Sequence, residues 1–306
     1  MEILHFFEKI RLPVLNEFML LITEFGGEIA FLVTAIIVFW CVDKRHGYFI
    51  MSVGFLGTII SQFMKLWFRI PRPWVLDENF TILEQAREAA TGYSFPSGHT
   101  TSAVGTFGSI AASARHCCTK LLCAILAVLV GLSRLYIGVH TPADVLVGAL
   151  TSIVLIFALR KACLEDKGMK ILLAGMIAMA MGLLIFMERY PFPADTDAHN
   201  LESGLKNAYT MMGCLTGVAI VYIVEKKWIR FSTDAIWWAQ ILKAVLGLGL
   251  VLLVKEGMRA PLEAMFGGHL IARSVRYFLI VVMAGILWPM TFKWFSRLGR
   301  KVEEYK

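Results

Sequence analysis

Between Ser133 and Asp144 the chain reads Ser-Arg-Leu-Tyr-Ile-Gly-Val-His-Thr-Pro-Ala-Asp, which places an arginine, a histidine and an aspartate at the mouth of an apolar segment. His140 and Asp144 stand four residues apart with Pro142 between them. Proline suits the first turn of a helix, so both side chains are expected to project from one face near a helix start. That geometry lets a carboxylate hold one imidazole nitrogen while the other attacks an electrophile or accepts a proton. Arg134 is a planar fork suited to a phosphate or a carboxylate.

Two earlier pieces of chain carry matching chemistry. Lys65 is followed after six residues by Arg72 and Pro73, and a polar connection (74–95) then leads to Pro96, Ser97, Gly98 and His99. Three cations, a serine hydroxyl and a glycine that lets backbone N–H groups approach closely, at the start of a helix, form an anion cradle whose natural occupant is phosphate. Two histidines beside a bound phosphoryl group can divide the labour, one attacking phosphorus and one protonating the leaving oxygen.

The elements that must bring these pieces together are membrane spans. The 306 residues are 58% apolar and 17% charged, with a mean hydropathy of +0.67. A soluble domain usually carries about 25% charge. Apolar runs of about 20 residues, each long enough for a bilayer core of ~30 Å, recur between short polar connections. The expected fold is all-α, a polytopic membrane bundle of nine spans at 18–40, 48–68, 98–115, 120–139, 142–160, 170–188, 203–224, 235–254 and 273–294. An even number of crossings separates residue 99 from residue 133, so all three pieces reach one membrane face. No cleavable signal peptide is expected, because the first apolar run follows Glu8, Lys9, Arg11, Asn16 and Glu17. Residues 1–14 read as a short amphipathic helix in the interface.

Lys44, Arg45, Arg115, Lys120, Arg160, Lys161, Lys167, Lys170, Lys226, Lys227, Arg230 and the tail with Lys293, Arg297, Arg300, Lys301 and Lys306 fall on one set of connections, which the positive-inside rule places in the cytoplasm. The opposite face holds most of the acids, among them Asp77, Glu78, Glu84, Glu88, Glu188, Asp195 and Asp197. The net charge of +7 is read as this topological bias and not as nucleic-acid binding. Cys41, Cys117, Cys118, Cys123, Cys163 and Cys214 show neither metal-ligand spacing nor a disulfide framework and read as small buried apolar residues.

Outside the motifs, Thr81–Ala90 is expected to form a short amphipathic helix across the site entrance. Trp74, Tyr93 and Tyr136 read as interfacial anchors or pocket lining. The pairs Lys255/Arg259 and Arg273/Arg276 are expected either to ion-pair among loops or to meet a second anionic group on the substrate. Lys243 is expected to snorkel toward the cytoplasmic face.

Lys65-x6-Arg72-Pro73, Pro96-Ser97-Gly98-His99 and Ser133-Arg134-x5-His140-x3-Asp144 together resemble the three-part signature of the type 2 phosphatidic acid phosphatase superfamily. The motifs cover residues 65–144, and the five spans from 18 to 160 resemble the family's common core. The resemblance implies a metal-independent phosphatase, needing no cofactor, that works through a covalent phosphohistidine. His140 would be the nucleophile oriented by Asp144, and His99 the acid for the leaving alcohol and then the base for water. Lys65, Arg72, Ser97, Gly98 and Arg134 would hold the phosphate. Nine spans, an outside N-terminus and motifs placed after spans two and four resemble the glucose-6-phosphatase and sphingosine-phosphate phosphatase branches, and the run Arg72-Pro73-Trp74-Val75-Leu76-Asp77 is similar to the corresponding stretch of glucose-6-phosphatase.

The expected organisation is an interfacial segment (1–17), a catalytic core of five spans (18–160) and a four-span extension (161–306). The expected activity is hydrolysis of a lipid phosphate or diphosphate, with membrane lipids as neighbours. A soluble sugar phosphate as substrate and a non-catalytic phospholipid binder or transporter are the alternatives. The expected setting is a bacterial plasma membrane with N-terminus and site outside and C-terminus inside, or an endoplasmic reticulum with a luminal site.

Overall fold

A computed structural model describes residues 1–87 and 90–298; the regular structure within these is helical, without strands. The helices are α1 (Glu2–Lys9), α2 (Pro13–Glu24), α3 (Glu28–Cys41), α4 (Lys44–Phe68), the short α5 (Pro73–Leu76), α6 (Gly98–Ser113), α7 (Cys117–Ile137), α8 (Pro142–Leu164), α9 (Asp166–Arg189), α10 (Ala198–Val224), α11 (Trp237–Gly257), α12 (Arg259–Met265), α13 (Ile271–Val282) and α14 (Phe292–Phe295). Among the described residues seven helical segments are long and apolar enough to cross a membrane, or eight when α2 and α3 count as one bent span. The protein is an all-α polytopic membrane bundle, and the expected nine spans are not all met at that standard.

Two of the expected spans depart from the simple pattern for physical reasons. The first is broken into α2 and α3, bent by 50°. The break falls at Gly26, where a Cβ would sit 2.8 Å from the His99 carbonyl oxygen and 2.6 Å from Val130, so only glycine lets the chain pass there. The third is α6, whose 16 residues span about 24 Å at 1.5 Å per residue, short of the bilayer core.

The chain folds into two compact units. The first joins residues 1–35 to 48–208 and the second joins 36–47 to 209–306. In the first unit α6 packs on both α7 and α8, α1 and α2 lie on α7, and α9 lies on α8. The Leu4 side chain of α1 is buried with Phe80, Ile82 and Leu135, while Phe6 and Ile10 are exposed. In the second unit α13 packs on α11 and α12.

Several local expectations are corrected. Instead of a helix over 81–90, only Glu84–Ala86 forms a single 3₁₀ turn, with extended backbone before it. Ile82 and Leu83 are buried, and the Leu83 amide donates to Ile137 O at 3.1 Å, so the segment is held to the end of α7 instead of coiling on itself. Glu88 and Ala89 of that segment, and the cations Arg300, Lys301 and Lys306, lie outside the described residues. Lys243 does not snorkel. It is fully buried, donating to Trp40 O (2.9 Å) and Thr233 O (3.3 Å) with its ammonium 4.6 Å from the centre of the Phe292 ring. Trp40 is in the last turn of α3, whose terminal carbonyls lack intrahelical donors and carry partial negative charge. Cys123, Cys163 and Cys214 are buried as expected, whereas Cys117 and Cys118, in the first turn of α7, are exposed.

Candidate active site

α8 begins at Pro142, capped by a reciprocal pair. The Asp144 amide donates to Thr141 Oγ1 (3.3 Å), and Thr141 N donates to Asp144 Oδ2 (2.7 Å). This cap fixes Asp144 at the helix start, and His140 sits just ahead of it. α7 stops at Gly138, whose φ of +91° is open to glycine but strained for other residues, and the chain turns there to present His140.

Arg72, at the cap of α5, reaches this turn. Its Nη1 donates to Val139 O (2.9 Å) and to His140 Nε2 (3.0 Å), its Nε to Gly92 O (3.0 Å) and its Nη2 to Thr91 O (2.8 Å). A guanidinium can only donate, so Nε2 is the accepting nitrogen of His140 and the ring proton resides on Nδ1. Nδ1 faces Asp144 Oδ2 at 3.5 Å and Ser94 Oγ at 3.4 Å. Ser94 Oγ in turn donates to Asp144 Oδ2 at 2.5 Å. The Nε2 lone pair is thus aimed at the cationic fork of Arg72.

The other motif residues surround this pair. Lys65, in the last turn of α4, donates its ammonium to the Tyr93 carbonyl. Arg134, buried in the last turn of α7, donates to Thr23 Oγ1 at 2.6 Å, and its Nε–H has no partner among the described residues. Ser97 caps α6, accepting from the Thr100 amide, and its own amide donates to Asp144 O (3.0 Å), which ties the second motif to the third. A Cβ on Gly98 would meet nothing within 4 Å, so the start of α6 is open on that side. His99 is half-buried beside it, within electrostatic reach of Arg134, Arg72, Lys65 and His140. All eight residues singled out in the sequence therefore gather at one end of the first unit.

Burial, with the nearby charges of Arg72, Arg134 and Lys65, holds His140 well below the ordinary histidine value. The ring is neutral at pH 7, with its Nε2 lone pair accepting from Arg72. Among the described residues no three of His, Cys, Asp and Glu converge in a metal-ligating group.

Ser94 escaped the sequence reading. It is wholly buried, and nothing in its type or spacing marks it as the hydroxyl between His140 and Asp144. Ser94→Ala is expected to lower kcat about tenfold with little change in KM, because Asp144 loses its shortest partner while the phosphate ligands remain. An unchanged kcat in steady-state assays would count against this placement.

A brace from the N-terminus also went unread. Arg11 donates to Thr81 O (2.9 Å), Tyr136 O (3.2 Å) and Ile137 O (3.3 Å), the last two at the carbonyl end of α7 just before the His140 turn. His5 bridges Glu8 (2.9 Å) and Asp77 (3.0 Å), and hydrogen bonds to Glu8 and then Asp77 raise its pKa. Tyr136 is neither anchor nor pocket lining. It is buried, accepting from Leu12 N and donating to Asn16 Oδ1. Trp74 lies between the guanidinium groups of Arg72 and Arg87, 5.9 and 5.4 Å from its ring centre.

A buried imidazole backed by a carboxylate thus lies with three cations and a helix start around it, at one end of apolar helices. Residues 45–165 match the model of the PAP2 superfamily, and residues 209–301 match that of the PAP2 superfamily phosphatase transmembrane extension. The undecaprenyl-diphosphatase BcrC of Bacillus subtilis is 33% identical over 146 residues, 47% of this chain and 72% of the relative. The phosphatidylglycerophosphatase B of Bacillus subtilis is 30% identical over 165 residues, 49% of this chain and 76% of the relative. An undecaprenyl-diphosphatase of Sulfolobus acidocaldarius is 28% identical over 140 residues, 45% and 66% of the two chains. No solved structure matches the chain. The chain belongs to the PAP2 superfamily, as its motifs led one to expect.

Proposed function

We propose that this integral membrane protein hydrolyses a lipid phosphate or diphosphate, with His140 as the nucleophile. The observation that carries the assignment is the single hydrogen bond from Arg72 to His140 Nε2, with Asp144 and Ser94 on the opposite nitrogen. In the first step Nε2 attacks phosphorus and the bond to the leaving oxygen breaks, while His99 delivers a proton to that oxygen. In the second, His99 takes a proton from water, the resulting hydroxide attacks the phosphohistidine, and the P–N bond breaks to release phosphate and the His140 lone pair. Arg72, Lys65 and Arg134, with the Ser97 hydroxyl and the Gly98 amide, stabilise charge on the equatorial oxygens. Asp144 holds the imidazolium-like ring as Nε2 bonds to phosphorus.

The substrate reading rests on two supports. The relatives named above are phosphatases of lipid phosphates, and the site sits where apolar helices end, which suits a phosphate head on a greasy tail. The side of the membrane follows from the cation bias: site and N-terminus outside, C-terminus inside, in a bacterial plasma membrane. The detergent-solubilised protein assayed against undecaprenyl diphosphate, phosphatidylglycerophosphate, phosphatidic acid and glucose 6-phosphate tests the reading through released inorganic phosphate. Lipid substrates are expected to be turned over at least about a hundredfold more efficiently than the sugar, since remote binding energy of the tail is spent on the reacting centre. Preference for the sugar would move the protein to the other reading. Vanadate is expected to inhibit, and chelators to leave the rate unchanged.

The environment of His140 also fixes the sign of the pH dependence. A lowered pKa means the nucleophile keeps its lone pair as pH falls, so the acid limb of kcat/KM set by its protonation lies below the ordinary histidine value of 6.5. The same depressed group stabilises the fold at pH above its unfolded value and withdraws that stability as pH falls through its folded one. A kcat/KM profile whose acid limb sits above 6.5 would contradict the placement.

A further inference from the structure

Of the outward-facing cations in the second unit, the structure separates two kinds. Arg259 pairs with Glu263 at 3.3 Å and Lys255 with Glu256 at 3.4 Å, which settles that pair as ion pairing. Arg273 and Arg276 have no carboxylate within ion-pair distance among the described residues. Arg276 is nine-tenths buried, and its Nε–H has no partner among the described residues.

The two guanidinium groups share a surface. They lie 5.3 and 5.6 Å from the centre of the same ring, Tyr277, and Arg273 Nε donates to Thr210 Oγ1 at 2.6 Å. Their helix is fixed against α10: Ser274 Oγ donates to Tyr209 O at 2.5 Å, and a Cβ on Gly213 would come within 2.1 Å of Ser274 O. The arginines therefore cannot drift apart to relieve their repulsion. A buried guanidinium without a counter-charge is costly, and inside a membrane protein such a group points to a functional site. Two planar forks, one turn apart on a helix, present donors that match the tetrahedral oxygens of a phosphate.

We infer that Arg273 and Arg276, braced by Thr210 and Tyr277, form an anion site in the second unit that takes a phosphate group. Two sources offer that chemistry: the phosphodiester of an anionic phospholipid, and free phosphate. The site lies within the first two turns of α13, at the end of an apolar segment, where a phospholipid headgroup resides. The inference does not depend on the assignment of the phosphatase site, and it is read by binding and not by turnover.

The test is native mass spectrometry of the delipidated full-length protein titrated with phosphatidylglycerol or phosphatidylcholine, with inorganic phosphate as competitor. Wild type is expected to retain phosphatidylglycerol about tenfold better than phosphatidylcholine, the zwitterion's ammonium opposing the arginines, and the double variant Arg273→Gln/Arg276→Gln to lose that preference. Arg273→Lys/Arg276→Lys is expected to keep part of it. Displacement of the lipid by millimolar inorganic phosphate would make free phosphate the occupant, and retention would make it the headgroup; either supports the site. Equal retention of the two lipids by wild type, or an undiminished preference in the glutamine variant, overturns it. Should the double variant misfold, Arg273→Gln alone, at the half-exposed member, decides by the same criterion.

Discussion

His140→Ala is expected to lower phosphate release by about four orders of magnitude or more, the scale seen when a nucleophile is removed from a preorganised site. Binding should survive. Lys65, Arg72, Arg134 and the start of α6 are untouched by the change, and Arg72 keeps its bonds to Thr91 O, Gly92 O and Val139 O. Vanadate or phosphate affinity is therefore expected to change by no more than about threefold, since one donor–acceptor pair among many is lost. Steady-state release and equilibrium binding on the same preparation separate the two effects. Turnover within tenfold of wild type would remove His140 from the chemistry. Loss of binding together with turnover would make it a structural residue.

Arg72→Lys is expected to cost about a thousandfold in kcat/KM, the range for losing oriented charge at a transition state. The charge is conserved, but the fork is not. One ammonium cannot at once hold the 91–92 backbone, the Val139 carbonyl and the face of His140 Nε2. Both kcat and KM should worsen, because in the proposed mechanism the residue aligns the nucleophile and also binds the oxyanion. A change of less than tenfold would show that Lys65 and Arg134 carry the phosphate without it.

The site was legible in the sequence to the extent that it is built from helix ends. His140 and Asp144 come together because Thr141 and Pro142 start α8 between them, and Ser97 lies where α6 must be capped; spacing alone encodes both. What spacing does not encode is the path of the connection that closes over them. The carbonyls of residues 91–93 that accept from Arg72 and Lys65, and the Ser94 hydroxyl, are positioned by loop backbone with no periodic signature.

The same holds for Arg11, whose acceptor Tyr136 O lies 125 residues away, and for Lys243, whose acceptor Trp40 O lies 203 residues away. Span counting from hydropathy found the apolar runs but not their geometry. Gly26 allows the first to bend around the His99 backbone, and α6 is cut short by the motif that starts it. Residues 81–87 misled because their apolar positions serve burial against the end of α7, and not a helical stripe.

The most direct test is to catch the covalent intermediate. The protein is mixed with a lipid phosphate labelled at phosphorus, quenched in alkali within the turnover time to preserve the P–N bond, digested and mapped by mass spectrometry. The expected result is one phosphorylated peptide, acid-labile, with the phosphoryl group on the imidazole of His140, absent from His140→Ala. Label on His99, or turnover at full rate with no phosphorylated histidine, would contradict the assignment of His140 as the group that attacks.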